Sequence, residues 1–190
     1  MGLKPDFQLG TWDGLLAGLQ AQRFDVMVDQ VNISEARSKV YDFSEPYTYA
    51  GQQLMVRKDR QAEIKGPNDL AGKRIGAVLG TNHEKWVRDN VPNAEVRTHG
   101  DDSHLNFDLI GGRIDAFVTD ILVVGFITRQ TGGQVVATGS PLGSQRSAFA
   151  LHKGSPELVG AIDEALESLR ADGTLKQISE KWFQIDVTHP

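Results

Sequence analysis

The chain has 190 residues, with 20 Lys and Arg against 25 Asp and Glu, a formal net charge of −5. That balance argues against a broad nucleic-acid footprint, which needs clustered cations. No apolar run in the sequence approaches the roughly 20 residues of a membrane-spanning helix, and with no Cys there is neither a disulfide nor a thiolate metal site.

Met1 to Phe7 (MGLKPDF) has no apolar core segment, so no signal peptide is expected at this start. Met1-Gly2 is followed by Asp6 where a myristoylation signal wants Ser or Thr. The five His are scattered without metal-ligand spacing, so no metal and no cofactor is expected.

In chain order, Thr11 is a plausible N-cap for a helix over Trp12 to Gln22, with Leu15, Leu16 and Leu19 on one face. Phe24 to Val28 reads as a buried strand and Ser34 to Arg37 as a polar turn or short helix. Tyr41 to Tyr49 is aromatic and holds Pro46, so it is expected to be irregular. Gln53 to Arg57 is a short strand, and Lys65 to Lys73 a connector with a short helical piece.

Arg74 to Leu79 is continuously apolar, as in a parallel strand covered on both faces. Thr81 with Glu84 three residues on is a capping-box pattern for a helix to about Asn90. Ala94 to Thr98 is a strand, Leu105 to Gly112 a helix, Ile114 to Val118 a strand and Ile121 to Arg129 helical. Gln134 to Ala137 and Ser147 to Lys153 read as two separate strands. Ser155 caps and Pro156 opens a helix to Ala171; Gly173 stops it and Thr174 starts another through Trp182. The alternation of strands and helices indicates the α/β class.

Leu15 to Gln30 and Leu105 to Asp120 echo each other. Each reads as a helix, a turn with Arg, an Asp and an apolar strand that breaks into polar residues (Asp29 and Gln30; Thr119 and Asp120). In open α/β sheets ligands bind at the carboxyl ends of strands. Two such ends suggest two lobes facing each other across a cleft.

Four features at those ends carry chemistry, each with a plainer alternative. The helix after Gly80 offers unpaired backbone N–H groups that favour an anion, or Thr81 merely caps it. Arg37 either grips a carboxylate or faces solvent. Asp120 either holds an ammonium group or caps the helix from Ile121. Trp12 offers a flat face to a ligand or packs in the core. As a set, the Arg and the helix start suit an α-carboxylate and the Asp suits an α-ammonium, the two ends of a zwitterion. Catalytic motifs are missing: the sequence contains no GxSxG, GxxxxGK[ST] or GxGxxG, and acidic residues show no glycosidase spacing.

Four blocks, Trp12 to Tyr47, Leu70 to Trp86, Gly112 to Asp120 and Ala165 to Phe183, make the chain resemble a polar-amino-acid solute-binding protein of an ABC importer, most like the cystine-binding branch. The resemblance implies a two-lobed Venus-flytrap fold (periplasmic binding protein-like II) with mostly parallel sheets flanked by helices. It puts lobe one at residues 1–49 plus 147–190, lobe two at 53–144, and the hinge near 49–53 and 144–147. It implies that Arg37 binds the ligand carboxylate, that Trp12 packs on the ligand side chain, and that Gln30 and Asn32 add contacts before Arg37. Gly80, Thr81 and Asn82 form the lobe-two helix start that holds the carboxylate, and Asp120 takes the ammonium. Family members carry a strand, an aromatic and a helix ahead of the part equivalent to Lys4, so lobe one is expected to lack its first strand and helix, leaving an open sheet edge; either the sequence is shortened at its start or the chain completes itself as a dimer.

The implied role is binding without catalysis: a polar amino acid, cystine first, handed to a permease, at a periplasmic or surface-tethered location. Two other readings stand beside it. Cyclohexadienyl dehydratases resemble these proteins and need a general acid, for which Asp29, His83 and Asp120 are the candidates. A ligand-sensing domain of a receptor is the third.

Overall fold

A computed structural model describes residues 2–190, and the Met1 part of the start-signal readings lies outside the described residues. The chain divides into two compact units. The first comprises Gly14–Ala50, Gln145–Pro190 and the described residues before Thr11; the second comprises Gly51–Ser144 with Thr11–Asp13. The chain leaves the first unit within one long strand and returns within another.

In chain order the elements are α1 (Trp12–Gln20), β1 (Val26–Asn32), α2 (Glu35–Ser38), β2 (Tyr41–Phe43) and β3 (Thr48–Arg57). Then come β4 (Arg74–Val78), α3 (Asn82–Asn90), β5 (Glu95–His99), α4 (Asp102–Ile110), β6 (Ala116–Asp120), α5 (Val124–Gln130), β7 (Val135–His152), α6 (Pro156–Ala171) and α7 (Thr174–Phe183). Single 3-10 turns lie at Lys58–Arg60, Pro67–Asp69 and Ile121–Val123.

In the first unit, the later half of β7 carries an antiparallel partner on each side. Ala150 stands opposite Met27 of β1 and opposite Phe43 of β2. The core gathers Leu151 with Ile162 and Leu166 of α6, and Tyr47 stacks on Phe149 at 4.7 Å between ring centroids. Asp42 ties β2 to the start of α6 by accepting from the N–H groups of Gly154 and Ser155.

In the second unit the strand order is β7, β3, β6, β4, β5. β4 pairs in parallel with β5 and β6, while β3 runs antiparallel to β6. The expectation of mostly parallel sheets therefore holds for β4, β5 and β6, whereas β1, β2, β3 and β7 pair antiparallel. Alternate residues of β3 and β6 feed opposite faces, as the two-residue repeat of a strand requires. Leu54, Ala116 and Val118 pack with Val87 of α3; Met55 and Phe117 pack with Leu105 and Leu109 of α4 and Ile127 of α5. β4 is buried from Ile75 to Val78, in line with its unbroken apolar run.

Several sequence expectations shift. The aromatic stretch expected to be irregular holds β2 and the start of β3, with Pro46 lying between them. Its backbone is claimed by β7: Ser44 N–H donates to Phe149 O and Tyr47 N–H to Ser147 O. The two strands expected at 134–137 and 147–153 are one, β7, which continues through Gly139 and Gly143 at positive φ. The strand expected at Phe24 to Val28 is β1, running Val26–Asn32. The helix expected from Leu105 starts at Asp102, because Asp101 caps it by accepting from His104 N–H. Ser155 stands at the start of α6, but its hydroxyl donates to His152 O and makes no cap bond.

Candidate functional site

In the second unit, the candidate residues gather where β4 and β6 end and α3 and α4 begin. At the start of α3, Thr81 Oγ1 accepts from Glu84 N–H at 3.3 Å and donates to Val78 O at 2.6 Å. Glu84 reaches back one residue further than the usual capping box and accepts from Gly80 N–H at 2.8 Å. Gly80 sits at φ +75°, a left-handed conformation that suits glycine. Trp12 donates from Nε1 to Gly80 O at 3.2 Å and packs against the cluster of Met55, Leu105 and Phe117.

Asp120 ends β6 and does not cap the following turn with its side chain. Its Oδ1 lies 3.4 Å from Nε2 of His83, the second residue of α3. A carboxylate only accepts, so Nε2 carries the proton in this contact. On the paired strand Gln52 stands opposite Asp120 and so shares its face. Gln52 is 6% exposed, and its Oε1 is a buried acceptor without a partner among the described residues. Asn82 Nδ2, at the first position of α3, is a buried donor in the same condition.

Asp102 begins α4 and accepts from Thr119 Oγ1 at 3.4 Å. Burial pushes its carboxyl above the usual range; nearby His83 opposes the shift and the like charge of Asp120 adds to it.

In the first unit, Arg37 is half-buried on α2 and donates from Nη1 to Asn32 O at 3.1 Å. Burial lowers its guanidinium from the usual value, with Tyr41 acting the other way. Ser34 Oγ accepts from Arg37 N–H at 3.3 Å, which fixes the turn that presents the side chain. Asn32 Nδ2 donates to Arg146 O at 3.4 Å. Gln30 takes φ +48°, with its N–H donating to Tyr47 Oη and its Oε1 accepting from Thr48 Oγ1 at 2.5 Å.

Of the eight residues singled out in sequence, Gln30, Asn32 and Arg37 thus gather in the first unit, and Trp12, Gly80, Thr81, Asn82 and Asp120 in the second. Gln52 and Asp102 enter only through the structure: strand pairing brings Gln52 to Asp120, and the start of α4 brings Asp102 to Thr119. A cavity of about 80 Å³ lies elsewhere in the second unit, lined by Arg57, Arg60, Arg74, Leu109, Gly112, Ile114 and Asp115. It belongs to the opposite end of the strands, and there Arg74 is tied to Asp115 at 2.8 Å and Arg57 to Asp59 at 3.0 Å. Among the described residues no cluster of His, Asp and Glu could hold a metal ion, and no helix is long and apolar enough to cross a membrane.

An α/β chain in two units, with polar groups gathered at strand ends, has the architecture of a two-lobed solute-binding protein. Residues 1–185 match the bacterial extracellular solute-binding proteins, family 3, and the chain belongs to that family. It is 43% identical over 188 residues to the L-cystine-binding protein TcyJ of Escherichia coli (strain K12), covering 99% of this chain and 71% of that one. It is 35% identical to the L-cystine-binding protein TcyA of Bacillus subtilis (strain 168), covering 99% of this chain and 69% of that one. Among solved structures, the arginine-bound amino acid ABC transporter substrate-binding protein AbpA of Streptococcus pneumoniae is similar at a TM-score of 0.90 and 27% identity, with 99% of this chain and 80% of that one covered. The ancestral amino acid-binding protein AncCDT-1, a precursor of cyclohexadienyl dehydratase, is similar at a TM-score of 0.88 and 34% identity, with 96% and 79% covered.

Proposed function

We propose that this chain binds a polar amino acid as a zwitterion and presents it to the permease of an ABC importer, outside the cytoplasm. One pairing of observations carries the reading. Within one unit, a buried acceptor (Gln52 Oε1) beside Asp120 and a buried donor (Asn82 Nδ2) at the start of α3 both lack partners among the described residues. A buried polar atom left unpaired costs roughly 1–3 kcal/mol, so such atoms mark where a ligand's own groups fit. An ammonium at Asp120 and a carboxylate at the amide-rich start of α3 satisfy both. In the first unit Arg37 is the proposed carboxylate partner, fixed by Asn32 and Ser34; Trp12 and Gln30 are proposed contacts for the rest of the ligand.

Cystine is the first choice of ligand, because two relatives at 43% and 35% identity are cystine-binding proteins. Arginine is the second, from the arginine-bound structure. No catalytic step is part of the reading, since a carboxylate that pairs with an ammonium stays ionised and is a poor general acid. A thermal-shift screen across amino acids tests it: a ligand that binds only the folded chain raises the midpoint with concentration. A midpoint that no amino acid moves, with calorimetry equally silent, rejects the reading.

A further inference from the structure

The cavity of about 80 Å³ at the other end of the second unit's strands has no part in the amino-acid reading. β3 ends at Arg57, β4 begins at Arg74, and Asp115 directly precedes β6, so strand pairing brings the three to one end of the sheet. Three of the side chains that line the cavity carry guanidinium groups, Arg57, Arg60 and Arg74, against one carboxylate, Asp115. The lining is therefore net positive in a chain whose formal charge is −5. Lys73 adds a further positive charge near Asp115.

Each guanidinium keeps donors to spare, since Arg carries five N–H bonds. Arg74 uses Nε and Nη2 on Asp115, and Arg57 uses Nε and Nη2 on Asp59. Nη1 of each lacks a partner among the described residues. A Cβ added at Gly112 would come 3.2 Å from Arg57 Nη1, which sets that free amino group against the glycine in the cavity wall. Arg60 Nε lies 2.8 Å from Glu63 Oε2 but is not aligned for a hydrogen bond, and it is a buried donor without a hydrogen-bond partner among the described residues. Neither Asp59 nor Glu63 lines the cavity, and their side chains are 67% and 59% exposed. Exposed pairs of this kind hold their cations weakly.

We propose that this cavity is a binding site for one small oxyanion, phosphate or sulfate, held by Nη1 of Arg57, Nη1 of Arg74 and the guanidinium of Arg60. Guanidinium groups present N–H donors in a planar fork that matches the oxygens of such anions. Pockets for organic ligands begin at roughly 300 Å³, so a cavity of about 80 Å³ suits an ion rather than a nucleotide. The phosphate of a lipid headgroup presents the same oxygens. The site shares no residue with the proposed amino-acid site, so each stands or falls alone.

The test is calorimetry on the whole chain with sodium phosphate and with sodium sulfate, in a buffer free of both, with chloride holding the ionic strength constant. One saturable site per chain is expected, and a thermal midpoint that rises with phosphate concentration. Arg57→Gln and Arg60→Gln are each expected to weaken phosphate binding by roughly tenfold or more, the size of one lost charged hydrogen bond. Both replace members of exposed pairs, so both variants are expected to fold, and a melt of each without phosphate checks this. Lys176→Gln removes an exposed positive charge from α7 of the first unit and is expected to leave affinity within about twofold, because exposed charges are screened. Co-sedimentation with phosphatidylglycerol–phosphatidylcholine vesicles separates the two sources: uptake that both Arg substitutions abolish assigns the headgroup, and phosphate binding without uptake assigns the free ion. No saturable heat and an unmoved midpoint with both ions, together with no vesicle uptake, overturn the proposal. An affinity that the two Arg substitutions leave unchanged, or that Lys176→Gln lowers as much, overturns it equally.

Discussion

His83 Nε2 and Asp120 Oδ1 meet at 3.4 Å, so the helix that begins at the Gly80 turn also braces the carboxylate at the end of β6. His83 is buried, while Asp120 keeps part of its surface open. The two ends of the proposed zwitterion site in the second unit are therefore mechanically linked. Removing the charge of Asp120 and removing its brace are expected to have different consequences.

Asp120→Asn is expected to weaken amino-acid binding by roughly 10- to 100-fold, the size of one lost hydrogen bond to a charged group. His83→Gln keeps an N–H to offer and is expected to cost no more than about threefold. Calorimetry on both variants decides. A larger loss for His83→Gln than for Asp120→Asn contradicts the assignment of the ammonium to Asp120.

Arg37→Lys is expected to weaken binding by about tenfold or more, although the charge is kept. A guanidinium can hold Asn32 O and a carboxylate together through its planar fork, whereas an ammonium is a point charge. Affinity equal to that of the original chain, for every amino acid that binds, removes Arg37 from the site.

Asp102 also sets a pH dependence of stability. Its carboxyl is raised in the folded chain by burial first, so the folded state holds that proton more tightly than the unfolded state does. The stability it contributes is complete below the ordinary aspartate range and is lost as pH rises through the elevated folded value. Asp42, Asp108 and Asp115 are lowered, chiefly by hydrogen bonds from Lys153, His99 and Arg74, and they contribute the opposite slope. The difference in urea midpoint between Asp102→Asn and the original chain isolates Asp102. The variant is expected to gain relative stability from pH 4 upward until the elevated value is passed, as the sign of that linkage demands.

Thr81→Ala is expected to destabilise the chain by about 1 kcal/mol through loss of the helix cap. Thr81→Ser keeps the hydroxyl and is expected to keep both stability and binding. Urea melts of the two variants check the first statement, and calorimetry the second.

Gly139→Ala is expected to cost roughly 2–4 kcal/mol, through a strained backbone and a steric overlap. Gly139 sits at φ +68°, and an added Cβ would collide with the carbonyl oxygen of Lys65. A thermal midpoint unchanged by the substitution contradicts this account of how β7 continues past that residue.

What was legible in the sequence was local. The Thr81 and Glu84 pair marks the start of α3 because a cap is made within one turn, although the Glu84 carboxylate serves Gly80. β4 is legible because burial on both faces leaves an unbroken apolar run. β2 and the length of β7 were not, because their backbone bonds are made to chain segments about a hundred residues away. Gln52 is not legible for the same reason: its place opposite Asp120 is a matter of register between strands. Asp102 is not legible because the apolar pattern of α4 begins only at Leu105, although Asp101 carries the cap signal.

The passage of the chain through β3 and β7 makes residues 51–144 an uninterrupted insertion within the rest of the sequence. Its two ends lie side by side, since a Cβ built on Gly51 would come within 2.5 Å of the Gly143 oxygen. A segment whose entry and exit neighbour each other can be cut out at those points and rejoined with a short connector. The arrangement marks 51–144 as a cassette, open to exchange with the matching piece of a relative, so that the residues proposed to hold the ammonium could be swapped as one block.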